Sequence, residues 1–122
     1  MVLLRVVILV VAAMSCQMAH ALTGHEIVRY MSAVDKLERG DTTSRLEEIQ
    51  AAQVLGYIGG VIDTAAATGQ FCPKTTIVTR EIGRIARREI ESGRAKGRDN
   101  GAVIVTLALM MRHPCPEKPS RD

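Results

Sequence analysis

The chain has 122 residues and a mass of 13.3 kDa, which accommodates one small domain and not two. Hydrophobic residues make up 47% and charged residues 24%, a globular balance; with no Trp, one Phe and two Tyr, the core must rely on Ile, Val, Leu, Met and Ala. Sixteen Lys and Arg against thirteen Asp and Glu give +3, too mild a surplus to mark a nucleic-acid binder by itself.

Arg5 is the only charged residue ahead of the apolar run 6–13, which gives way to Ser15, Cys16, Gln17 and Met18 and then to the small-x-small triplet Ala19-His20-Ala21. That order reads as a cleavable secretory signal over 1–21, so the mature chain is expected to begin near Leu22. The apolar run is shorter than the about 20 residues a membrane span needs, and no membrane contact is expected after processing. Lipidation at Cys16 is the alternative. Ala13-Met14-Ser15-Cys16 fits it poorly, because such sites usually carry Leu three residues before the Cys and Gly or Ala directly before it.

Start and stop signals mark four helical segments, and none of the chain reads as strand. Thr23 with Glu26 makes a capping box ahead of Ile27, Tyr30, Met31, Val34 and Leu37, predicting a helix over 24–38 that stops before Gly40. Ser44 with Glu47 makes a second box, opening a segment that carries Leu46, Ile49, Val54, Tyr57, Ile58, Val61 and Ile62 and ends near Ala67, with Gly69 as its left-handed cap. Within it Ala52, Gly56 and Gly60 fall four residues apart, predicting a bare ridge on which another helix packs closely; a kink at Gly59-Gly60 is the alternative.

Past the loop 69–74, Thr75 or Thr76 is a natural N-cap for a third helix over 76–91. Its Val78, Ile82, Ile85 and Ile90 share a stripe opposite Arg80, Arg84 and Arg87. Asn100 caps a last helix over 102–111, apolar nearly all round, which suits the centre of a bundle or a subunit interface. A buried strand over 103–109 is its rival, set aside on length. The expected fold is all-α, a small four- or five-helix bundle over 22–116 stapled by one disulfide, with 117–122 a disordered tail.

The staple is Cys72 with Cys115, the two cysteines left after processing in a chain sent to an oxidising compartment. Closing the loop between them contributes roughly 4 kcal/mol in the chain-entropy picture. A metal or redox pair lacks a CxxC and has only His25 and His113 as other soft ligands, so no metal or cofactor is assigned. Catalysis fails on the same inventory. His25 and His113 read as surface or capping residues, Glu47/Glu48 and Glu89/Glu91 as solvated ion-pair partners, and Asp63 as a structural acceptor for the loop before Cys72.

Charge is unevenly split: residues 22–71 carry four bases and seven acids, residues 72–122 eleven bases and six acids. Arg80, Arg84, Arg87, Arg88, Arg94, Lys96 and Arg98 therefore mark a basic face able to attract an acidic protein or lipid head groups, with an ordinary solvated face as the alternative. No aromatic residues interleave with these charges, so nucleic acid is not an expected partner.

The segment Gly56-Tyr57-Ile58-Gly59-Gly60-Val61-Ile62-Asp63, the corner Phe71-Cys72-Pro73, an amphipathic helix, then Val105-Thr106-Leu107-Ala108-Leu109 and His113-Pro114-Cys115 together resemble the Rap/Tai family of type VI secretion immunity proteins. The resemblance covers about 50–115. It implies a periplasmic helical protein, often a dimer, that binds and blocks a toxic peptidoglycan amidase, with the motif residues Gly56, Tyr57, Gly60, Asp63, Phe71, Pro73 and Pro114 mostly architectural. Family members commonly carry a further cysteine pair. Here those places read Tyr30-Met31-Ser32 and Gln53-Val54-Leu55, which implies a looser tie between the first two helices. The alternative function is a small periplasmic acid-stress chaperone that exposes its apolar last helix in acid.

Overall fold

The computed structural model describes residues 21–117, so residues 1–20 of the expected signal, Cys16 among them, and 118–122 of the expected tail lie outside the described residues. Among the described residues four helices form: α1 (Gly24–Arg39), α2 (Arg45–Ala67), α3 (Thr79–Glu91) and α4 (Gly101–Arg112). Among the described residues the extended pairing is a single bridge, Thr23 with Asn100. No described helix is long and apolar enough to cross a membrane.

Both capping boxes form. Thr23 Oγ1 accepts from the Glu26 amide at 3.3 Å and Ser44 Oγ from the Glu47 amide at 3.1 Å, and each glutamate carboxylate accepts in turn from the cap N–H. Gly40, Gly69 and Gly93 follow α1, α2 and α3 with φ of 71°, 66° and 79°, the left-handed turn that releases a helix end at least cost on glycine.

The core gathers Ile27, Met31 and Val34 of α1, Val54 and Ile58 of α2, Ile82 and Ala86 of α3, and Ile104, Val105 and Leu109 of α4 around Leu22 and Phe71. Its α1–α2 seam is the most extensive of the bundle. Lys36 Nζ reaches Glu47 Oε2 at 2.6 Å, joining the end of α1 to the start of α2.

Three expectations about packing are corrected. α2 runs unbroken, and its Ala52, Gly56 and Gly60 face solvent, where a Cβ on Gly56, Gly59 or Gly60 would meet nothing within 4 Å. The close approach falls instead on Gly83 of α3, where a Cβ would stand 2.6 Å from Met31 Sδ and 2.9 Å from Ile58 Cδ1. α3 starts at Thr79 and not at 76, because Val78 stays extended while Ile77 packs on the core, and neither threonine caps it. α4 is not central: Ile104, Val105, Ala108 and Leu109 point inward, but Val103, Leu107, Met110 and Met111 are 45–56% exposed.

Cys72 and Cys115 form the disulfide, with Cα atoms 4.7 Å apart. The Cys72 amide also donates to the His113 carbonyl at 2.9 Å, and His113 closes α4 by donating to Leu109 O at 2.8 Å. His113 is only 3% exposed, with its ring centroid 6.2 Å from that of the buried Phe71. It is therefore a cap but not a surface residue. The chain doubles back from α4 to the Cys72 corner, and that reversal carries position 113 inside.

Candidate functional site

The expected basic face divides in two. Arg80, Arg84 and Arg87 project from α3 at a spacing that matches Asp35 and Glu38 on α1. Arg80 Nη1 pairs with Glu38 Oε1 at 2.7 Å, Arg84 with Glu38 and, at 3.6 Å, with Asp35, and Arg87 Nη1 with Asp35 Oδ2 at 2.6 Å. These three arginines clip α3 to α1, so the acidic half of the sequence is matched against part of the basic half inside the molecule. The innermost pair, Arg87 and Asp35, is about four-fifths shielded, where such a pair is screened least by solvent. Charge totals alone do not reveal the acids. Their signal is the i, i+3 spacing of Asp35 and Glu38 against arginines at i, i+4 and i+7.

Arg94, Lys96 and Arg98 lie in the loop between α3 and α4, and its backbone is pinned at both ends. The Ala95 amide donates to Glu89 O at 2.9 Å, the His25 amide to Gly97 O at 2.7 Å and the Gly24 amide to Asp99 O at 3.1 Å. Asp99 Oδ2 accepts from the Lys96 amide at 3.1 Å, folding the loop on itself. The His25 imidazole lies against Gly97 so closely that no Cβ fits there. His25 thus braces the loop, in keeping with its reading as a surface residue.

Arg94 forks onto both oxygens of Glu89 at 2.9 Å. That hydrogen bond holds the Glu89 carboxyl below the usual carboxylate range, with burial opposing it, and raises Arg94 in return. Lys96, Arg98 and the neighbouring exposed Arg88 have no ion-pair partner among the described residues. The result is a loop of fixed shape that presents unmatched positive charge outward.

The motif residues are architectural or exposed. Tyr57 is half-buried, its hydroxyl enclosed near the Ala102 amide that Asn100 Oδ1 already occupies, and burial pushes the phenol up. Phe71 is core, while Pro73 and Pro114 are exposed on either side of the disulfide. Asp63 does not serve the loop before Cys72. It faces solvent on the side of α2 away from Ile58 and Ile62, and the backbone of that loop is held by the Gln70 amide on Ala65 O and the Thr68 hydroxyl on Thr64 O.

The hydroxyls of Ser32, Thr64, Thr68, Ser92 and Thr106 each donate to a carbonyl of their own helix, which leaves them structural. Among the described residues no three His, Cys, Asp or Glu converge as metal ligands would. This arrangement is suited to contact between surfaces.

A family model described as Rap1a immunity proteins matches residues 16–115. Comparison with curated proteins and with solved structures gave no match.

Proposed function

Because the chain belongs to the Rap1a immunity protein family, we propose that it is an exported, non-enzymatic binder that neutralises a type VI peptidoglycan amidase in the periplasm by occluding its catalytic cleft. The observation that carries the occlusion is the loop 93–100, whose backbone is tied to α1 and α3 while Lys96 and Arg98 point outward. A loop already held in one shape loses little conformational entropy on docking, so more of its contact energy remains as affinity. Export fits the amino-terminal pattern of Arg5, the apolar run and Ala19-His20-Ala21, directly ahead of Leu22, which is in the core.

The test is survival. Cells producing a type VI amidase in the periplasm should lyse without this chain and grow with it. Lys96→Glu with Arg98→Glu should weaken protection at unchanged expression. Lysis that proceeds equally with and without the chain, across amidases of this class, overturns the reading.

A further inference from the structure

The outward side chains of α4 and the cations around them line one trough. A depression of about 340 Å³ runs between α4 and the loop, walled by Leu107, Met110 and Met111 over Ile104, with Glu89 and Arg94 at its edge. A second, of about 260 Å³, lies between α3 and the end of α4, with Ile85 as its apolar floor and Arg88 and Arg112 on its rim. Glu89, Arg94 and Met111 border both, so the two adjoin and together make the trough.

The trough is apolar along α4 and positive at the α3 end. Three guanidiniums and one carboxylate line that end. Arg94 is engaged by Glu89 and Arg112 Nε by Glu81 at 2.7 Å, which leaves Arg88 exposed and without an ion pair, although its charge helps hold the Glu89 carboxyl down. Methionine walls adapt to differently shaped side chains, and Met and Arg are each enriched where proteins meet. An apolar anchor shielded beside a charged rim is the usual form of an energetic centre in an interface.

Resting on the reading above, we propose that this trough is the anchoring site for a segment of the secreted effector in which an apolar side chain stands next to a carboxylate. The apolar group sits against Leu107, Met110 and Met111, and the carboxylate reaches Arg88. The loop 93–100 then occludes while the trough anchors.

The probe is a synthetic peptide with a Leu-Phe centre flanked by glutamates, titrated into the ¹⁵N-labelled protein purified from cells expressing the full chain. Chemical-shift changes should map to 85–94 and 104–112. Binding should weaken about tenfold for a lysine-flanked counterpart and for Arg88→Glu, and be lost in Met111→Asp but kept in Met111→Leu. Both positions are exposed, so the variants should melt like the parent. Shifts scattered elsewhere, or equal binding of the lysine peptide, overturn the proposal. So does self-association of the free protein that Met111→Asp abolishes, since the face then belongs to a second copy. In the survival assay, protection unaffected by Met111→Asp sinks the trough and leaves the amidase reading standing. Absence of protection by the parent chain, with the peptide still mapped to the trough, sinks only the amidase reading.

Discussion

The two seams of α3 use the same residue type to opposite ends. Toward α1, Arg80, Arg84 and Arg87 meet acids from 42 to 52 residues away in the chain, and Gly83 lets the helices close over Met31 and Ile58. Toward α4, Arg94 is satisfied by Glu89 five residues back, Arg88 is left open, and the adjoining apolar wall of Leu107, Met110 and Met111 stays half in water. The first seam is a joint closed by arginines along its length; the second packs as extensively and is tied by Arg112 on Glu81, but its rim is an exposed edge. A surplus of positive charge in a sequence therefore locates a docking surface only after the internally matched cations are subtracted.

The largest break in this comparison is chemical. Cys72→Ser should lower stability by up to about 4 kcal/mol, enough to drop the melting temperature by more than about 10 °C, because the unfolded chain regains its loop entropy. Amides of α4 should lose hydrogen-exchange protection before those of the α1–α3 joint. An unaltered melting temperature would refute a stabilising role for the bridge.

Next come the glycines, with opposite signs. Gly83→Val drives two methyls into Met31 and Ile58 and should cost about 1–3 kcal/mol in denaturant unfolding. Gly56→Ala fills open space on α2 and should stabilise by about 0.5–1 kcal/mol through helix propensity. Similar losses at both positions would show that α2 is covered in solution.

Charges follow. Asp35→Asn leaves the shielded Arg87 with a weaker partner and should cost about 1–2 kcal/mol, whereas Arg88→Gln on the open edge should stay within about 0.5 kcal/mol. Equal effects would erase the distinction between joint and edge.

The smallest effect is a pH dependence. Hydrogen bonds from Lys36 and from the Ser44 amide hold the Glu47 carboxyl below its ordinary value of 4.5, and Arg94 does the same to Glu89. A carboxyl lowered by folding stabilises above its unfolded value, and that contribution fades as the pH falls through the folded one. Glu47→Gln and Glu89→Gln should therefore each flatten the acid limb of a melting-temperature profile below pH 4.5 and leave its neutral slope unchanged. An acid limb as steep as the parent's would show these pairs to be unformed.

The sequence by itself determined the four helical segments of the described residues, both capping boxes, the glycine ends of α1 and α2 and the pairing of Cys72 with Cys115. Those features are local, or, for the cysteines, the one pairing left if the expected signal carries Cys16 away. Only the tertiary structure decided that Asp35 and Glu38 neutralise the α3 arginines, that Gly83 and not Gly56 meets a neighbour, that His113 is buried, and that Leu107, Met110 and Met111 face outward. Each depends on how a helix is rotated about its own axis when packed. An α4 apolar on every side, or an α2 ridge of small residues, carries no amphipathic signal to set that rotation; the matching of side-chain shapes and charges between helices sets it.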